Sequence, residues 1–577
     1  MTSSMFKFKG VSDDGLDFTR DDLAKHRVVR GAPGFYRKYF QTRPWTSSVL
    51  DIMQKQTTVQ HVNKLSAEVL KSNQEKVLDD WIREFQALIA EVTRLSFLCQ
   101  SAPKSDQTLE ARLCIQAKLK DRPGDKIEVL GEYLHDHEGS IESDDDVCLL
   151  RFFNRIQQLF AQQPTRRLLH GFTIYGFMLE IWVFDRSGAF SGGLLNLKEA
   201  PHLLAEVLMT YAIMDDTALG LGSFLNYCGP QEPSLYVIFD ASNKFYLHST
   251  PIAAPDYIVG PGTVCYAASK SKAEQPSAVI KFSWRYTEEY TELNVLKRIS
   301  KHDITGTIRL VAFQDHLETI GNLHEGLRLP GTFPNSIQSC IAISPLGLPL
   351  QEFATMAELL GVLADTAEAL QSLYIKGKIL HRDLAIKNII RVPHSDANQS
   401  TGRGVLIDLD CAQILDDAPP LEAFKGSDGF VAINVLLGRN HTYNTDLESL
   451  FYVFLWLAIG NEREYPHPSI ILFNLSENSR LRKWVSGDNY AMAQAKVADM
   501  SLQGFENILE EFSSDFLHLR GLAEKLHRLI FCPEKDGNAV IEAETSQKAA
   551  ERLYQEFSTA LRNQSFIEQH RQRNLSS

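Results

Sequence analysis

The stretch Ile379-Leu380-His381-Arg382-Asp383-Leu384-Ala385-Ile386-Lys387-Asn388-Ile389-Ile390 sets a polar loop between two apolar, strand-like runs. Held that way, Asp383 and Asn388 reach one cleft, where a carboxylate can face an acceptor hydroxyl while an amide faces a metal ion. Farther on, Gly404-Val405-Leu406-Ile407-Asp408-Leu409-Asp410 reads as an apolar strand ending in an acid. A carboxylate at a strand end suits Mg2+, a hard cation that takes oxygen ligands and keeps its other positions for phosphate. Upstream, Ala278-Val279-Ile280-Lys281 places one lysine on an apolar strand. Singly, each has a plainer reading: Asp408 as a solvated strand cap, Lys281 as an edge lysine with its stem along apolar surface. Their order in the chain gives them joint meaning.

These groups need elements to hold them. Lys281 requires a carboxylate partner to sit on phosphates, and a helix predicted from about Thr287 to Ile299 supplies candidates. Glu292 shares a helical face with Val295, Leu296 and Ile299 and so points inward, whereas Glu289 is the weaker choice and Glu288 the fallback. Ile258 to Tyr266 reads as strand, glycine turn, strand, which would bring backbone N–H groups at Gly260 and Gly262 onto phosphates. The run Leu450 to Ile459 is apolar all round and predicts a buried core helix. Asp446, just before it, could accept hydrogen bonds from the loop backbone.

The sequence of glycine turn, lysine strand, helix acid, His-Arg-Asp loop and metal acid resembles the protein kinases over about residues 255–532. Gly426-Ser427-Asp428-Gly429-Phe430-Val431-Ala432-Ile433 and Thr445 to Val453 resemble the fungal-type protein kinase domain in particular. So do His170 to Ile174 and Val183-Phe184-Asp185-Arg186-Ser187-Gly188-Ala189, which extend the likeness to about residue 165. The resemblance implies an α+β, bilobal kinase-like fold with a small β-rich lobe, a large helical lobe and an upstream α+β region. It implies that Asp383 orients and deprotonates the acceptor hydroxyl and that Asn388 and Asp408 hold Mg2+. Lys281 with Glu292 would align the α- and β-phosphates of ATP, Gly260 and Gly262 would cover them, and Asp446 would brace the loop. Ser427 matches both a position that is phosphorylated, answered by Arg382, and one that hydrogen-bonds the catalytic loop.

There are departures from the family pattern. Cys265 stands where many kinases have a third glycine, Asp408-Leu409-Asp410 lacks the usual Phe-Gly, and Asn434 replaces a segment-closing glutamate. Ala385 takes the place of a phosphate-binding lysine, with Lys387 two positions on, so the acceptor type is open, with serine or threonine preferred to tyrosine. The reading is an ATP- and Mg2+-dependent protein kinase acting on a protein substrate. The alternatives are a pseudokinase scaffold without turnover and a small-molecule phosphotransferase, the latter disfavoured by Arg382 and the long segment after Asp408.

The rest of the chain sets bounds. Its 577 residues carry 44% apolar and 23% charged types and a net charge of −13, so no global basic field draws it to nucleic acid or anionic lipid. The eight cysteines are scattered, none at the spacing of a zinc knuckle or redox pair, and read as reduced thiols. The first residues lack the apolar core of a signal peptide, and no run approaches the ~18 apolar residues of a membrane span, so an intracellular protein, cytoplasmic or nuclear, is expected. Residues 1–46 read as a mobile arm, 47–250 as a helical then sheet-containing region, 251–345 as the small lobe, 346–535 as the large lobe and 536–577 as a helical tail. Within them, 47 to about 98 reads as two or three helices, Glu142 to Asp146 as a solvated acidic loop, and the tract from Pro393 to Gly404 as a surface loop. Leu113 to Leu119 reads as a plain strand, although Gln116-x-Lys118 after Asp106 faintly resembles a restriction-endonuclease-like core with one metal-binding acid missing.

Overall fold

The computed structural model describes residues 27–41, 43–64, 75–101, 113–120, 126–134, 144–222, 224–228, 234–248, 250–255, 257–286, 292–330, 333, 335–393, 403–416, 426–460, 475–531 and 546–576. Its architecture is mixed α+β, in two compact units. One, rich in sheet, comes from residues 14–289 and 312–342; the other, mainly helical, comes from 290–311 and 343–577.

The sheet-rich unit holds two seven-stranded sheets. The first is built from β1 (Val28–Val29), β2 (Leu95–Ser101), β3 (Leu113–Leu119), β4 (Val129–Leu134), β5 (Leu168–Tyr175), β6 (Met178–Asp185) and β7 (Gly188–Asn196), in the order β1-β7-β6-β5-β4-β3-β2. The β5 and β6 segments are buried nearly end to end because both faces of the sheet are covered. On one face α4 (Asp144–Gln162), in the crossover between the parallel strands β4 and β5, packs Phe152, Phe153, Ile156 and Phe160 against Trp182 and Phe184. The larger core on the sheet joins Trp81 and Phe85 of α3 (Glu75–Ile89) with Phe172, Ile181 and Val183 and with Leu208 and Tyr211 of α5 (His202–Ile213). Residues of α1 (Thr46–Met53) and α2 (Gln56–Lys64) complete it.

Three local expectations change here. The segment read as an arm supplies Ala32, Phe35, Tyr39 and Phe40 to that core, while residues 1–26 lie outside the described part. Its aromatic residues stand four apart in a segment too short for a period to emerge. The helical reading through Leu98 stops at Ile89, and Leu95–Ser101 is an edge strand. Residues 144–146 open α4 instead of a loop; Glu142 and Ser143 lie outside the described residues. Gln116 sits mid-strand and donates to Gln100 at 3.2 Å, as a plain strand residue would; Asp106 is not described.

The second sheet runs β13-β14-β12-β11-β10-β9-β8, from β8 (Asn226–Tyr227), β9 (Leu235–Ile238), β10 (Lys244–Leu247), β11 (Val264–Ser269), β12 (Ala278–Tyr286), β13 (Arg309–Thr319) and β14 (Ser336–Ser344). The turn at Asp240-Ala241-Ser242-Asn243 forms as its composition dictates, Asp240 accepting from the Ser242 N–H at 2.8 Å. β10 pairs antiparallel with β11, so the sheet continues across residue 250. Trp284 of β12, with Ile320 and Leu323, is buried in the first sheet's core, so residues on both sides of that position share one interior.

In the helical unit, α6 (Glu292–Lys301) and α7 (Met356–Ser372) accompany two small ladders. These are β15 (Leu348–Pro349) with β17 (Ile389–Val392) and β18 (Arg403–Leu406), and β16 (Ile379–Leu380) with β19 (Gln413–Ile414). Then come α8 (Tyr443–Ile459), α9 (Asn489–Asp499), α10 (Leu502–Glu510), α11 (Arg520–Ile530) and α12 (Gln547–Ser576). α8 is buried along nearly its whole length, as its all-round apolar composition requires, and opens on a Thr442–Thr445 capping box. α12 lies along α7, Ser565 donating to the Ala357 carbonyl at 2.7 Å and Arg562 pairing with Glu368. The tract 394–402 and Glu288 and Glu289 lie outside the described residues. Among those described, no helix is long and apolar enough to cross a membrane.

Gly131 of β4 stands opposite Phe172 of β5, and a Cβ there would lie 2.1 Å from the phenyl ring. Gly131→Ala is therefore expected to cost about 1–3 kcal/mol through overpacking. Thermal unfolding should show a lower Tm than the wild type, whereas an unchanged Tm would mean that the ring is free to move.

Candidate active site

The loop that carries Asp383 begins on β16, whose Ile379 and Leu380 are buried and paired with Ile414 and Gln413. The next two backbone N–H groups, of His381 and Arg382, both donate to the carboxylate of Asp446, at 2.9 Å each. Asp446 lies in the first turn of α8 and is buried. Burial pushes its pKa up, and the neighbouring His381, the two amides and Arg382 oppose that shift. The His381 ring in turn donates from Nε2 to the Ile407 carbonyl at 3.1 Å, tying the loop to the strand end that carries Asp408. Arg382 and Asp408 both have left-handed backbones, with φ of 69° and 60°. Such conformations cost about 1–3 kcal/mol each and persist where the surroundings over-determine them.

Asp383 is gripped on both sides. Ser427 donates its hydroxyl to one carboxylate oxygen at 2.7 Å, and the Asn388 amide donates to the other at 3.3 Å and to the Asp383 carbonyl at 2.7 Å. Of the two expectations for Ser427, the structure displays the hydrogen bond to the catalytic loop. Residues 417–425, between Asp416 and the stretch that carries Ser427, lie outside the described part. The β17–β18 ladder pairs Ile389 with Leu406, and the Ile407 N–H donates to the Asn388 carbonyl at 3.0 Å, so Asn388 and Asp408 stand at the same end of adjacent strands. Glu292, the first residue of α6, is buried and accepts from the Leu409 N–H at 3.2 Å. Glu292, Asp408 and Asp410 can place one oxygen each within 4.8 Å of one another. Asp410 entered the sequence reading only as a departure from a motif; its signal was a second acid at the strand end.

In the sheet-rich unit, Lys281 lies on β12 opposite Cys265 of β11 and is buried. Gly260 and Gly262 are not in a strand–turn–strand unit: residues 258–263 have no regular structure, and β11 begins at Val264. Gly260 packs on the Tyr257 ring and Gly262 on Arg186, whose guanidinium is buried and donates to the carbonyls of Tyr257 at 2.8 Å, Ile258 at 3.3 Å and Pro164 at 3.2 Å. The Gly260 N–H donates to the Arg186 carbonyl at 3.0 Å, and a Cβ on Gly262 would lie 2.6 Å from the guanidinium. Gly262 also has φ of +53°, so close approach and backbone conformation both call for glycine. Sequence reasoning placed Arg186 in a family motif without seeing this contact, since nothing local links it to residues more than seventy positions away.

The profile of the fungal protein kinases matches residues 116–329 and 315–458. The chain belongs to the fungal protein kinase family. A search of curated proteins gives no match. The family match starts well upstream of residue 165, in β3, and ends at the last turn of α8. It therefore takes in most of the first sheet as well as the residues around Asp383. A kinase-like enzyme of a family that generally uses ATP and Mg2+ on protein substrates follows from this membership.

Asp446→Ala would strand two buried N–H donors, at about 1–3 kcal/mol apiece. A fall in Tm together with loss of phosphate transfer is expected, with Asp446→Asn, which keeps one acceptor, lying between alanine and wild type. Calorimetry and an initial-rate assay on the three proteins check the order, and an alanine variant matching wild type in both would contradict the bracing role.

Proposed function

We propose that this fungal protein kinase family member is an active, ATP- and Mg2+-dependent kinase that transfers the γ-phosphate to a serine or threonine hydroxyl of a protein. The observation that supports this most is the Asp383 carboxylate, fixed by Ser427 and Asn388 on a loop whose backbone is held by Asp446. In the proposed reaction Asp383 orients the acceptor hydroxyl and takes its proton as the oxygen bonds to the γ-phosphorus. The bond from that phosphorus to the β–γ bridging oxygen breaks, and ADP leaves with the electron pair. Asn388 and Asp408 would hold Mg2+, and their oxygen donors fit a hard cation; bound there, the ion offsets the negative charge of the phosphates. Lys281 and Glu292 are assigned to aligning the α- and β-phosphates. Packing against the Tyr257 ring and Arg186 is sufficient reason for glycine at 260 and 262, and no phosphate contact is assigned to them.

Asp408→Asn is the direct test. Asparagine tolerates the left-handed backbone at this position, so the fold should survive while a ligand charge is lost. Mg2+-dependent transfer from ATP should fall on the order of 100-fold or more with Tm nearly unchanged. Undiminished transfer would remove Asp408 from the site, and a well-folded wild type without transfer would favour the pseudokinase alternative.

A further inference from the structure

Residues 427–433 run from Ser427, which holds Asp383, to Ile433, and the stretch up to Ala432 has no helix or strand hydrogen bonding to keep it in place. Buried side chains do so instead. Lys496 of α9, fully buried, donates from Nζ to the carbonyls of Gly429 at 2.9 Å and Val431 at 2.6 Å and lies over the Tyr452 ring at 4.3 Å. Glu448 of α8, also fully buried, accepts the Ile433 N–H and the Tyr452 hydroxyl on one oxygen, at 2.7 Å each. Trp456 packs on Phe430 and stands so close to Gly429 that a Cβ there would lie 3.0 Å from its ring. Burial lowers the pKa of Lys496 and raises that of Glu448, and their opposite charges offset part of each shift.

A buried ammonium and carboxylate are poor means of gaining stability, because apolar residues would fill the same space without the desolvation cost. What these two provide is direction: alternate carbonyls, then an amide, are fixed in a stretch that otherwise has no ladder. We propose that Lys496 and Glu448 are positioning residues for the protein acceptor. They hold 427–433 as the support on which the acceptor's backbone lies, so that its hydroxyl meets Asp383. This rests on the kinase reading above and names the residues that shape its acceptor platform. The sequence hid them: Lys496 stands in an unremarkable alanine-rich helix, and Glu448 among the acids at the start of an apolar one.

The test is steady-state phosphate transfer to casein by the full chain and by Lys496→Met, Lys496→Arg and Tyr452→Phe, with casein and Mg-ATP varied separately. Lys496→Met should raise the KM for casein about tenfold while the KM for ATP moves less than twofold, a split that general destabilisation does not produce. Lys496→Arg should restore part of the loss. Hydrogen exchange at the Ile433 amide should quicken in Lys496→Met. Tyr452→Phe, which removes only a hydroxyl, should show the same split more weakly and serves if the methionine variant fails to fold. Unchanged casein KM in an active, folded variant, or equal changes in both KM values, would overturn the positioning role alone. A wild-type chain that transfers no phosphate would overturn the kinase reading and this role with it.

Discussion

One buried carboxylate holds the loop that carries Asp383 in place. Asp446 accepts two consecutive backbone N–H groups of that loop, and it can do so rigidly because α8, which carries it, is enclosed by the helical unit. Hydrogen bonds to a charged acceptor contribute about 1.5–3 kcal/mol each, enough to hold Arg382 in a left-handed backbone. From that point the order of constraints is traceable. His381 ties the loop to the Ile407 carbonyl, the β17–β18 ladder sets Asn388 beside the strand end of Asp408, and Ser427 and Asn388 fix the Asp383 carboxylate from two sides.

A second constraint works in the sheet-rich unit. Arg186, at the turn between β6 and β7, donates to the backbone of 257–258, and its guanidinium sits 4.6 Å from the Phe160 ring centroid. Burial brings its pKa down to about 10, still well above neutrality, so it remains a cation. Its contacts run from the helix and sheet of the upstream region to the segment leading into β11. With β10 paired to β11 and Trp284 in the first sheet's core, the lysine strand β12 belongs to the same folded body as the strands before residue 250. The family match beginning at residue 116 is the sequence counterpart of that continuity.

Legibility followed the range of the interaction that decides each feature. β3 was readable to its exact ends because apolar alternation is a local signal. The grouping of Asn388 with Asp383 and with the strand end of Asp408 was legible because these residue types occur in a fixed order along the chain. Glu292 was found from the inward face of its helix, though what the structure shows it bonding is the Leu409 amide. The burial of Phe35 and Tyr39, the packing of Gly262 on Arg186 and the Lys496–Glu448 clamp were not legible. Each depends on a partner dozens of positions or more away, and an isolated arginine, lysine or glutamate in sequence carries no mark of burial.

The central claim is that this constrained carboxylate serves phosphoryl transfer. Its most direct measurement is transfer of the γ-phosphate of labelled ATP to casein by the purified full chain and by Asp383→Asn, each with Mg2+ and with EDTA. The account predicts label on the acceptor for wild type with Mg2+ alone, and a loss on the order of 100-fold or more in the variant, which retains an oxygen to accept from Ser427. Equal labelling by the two proteins would contradict it, as would an absence of labelling by a wild-type chain whose cooperative unfolding shows it to be folded.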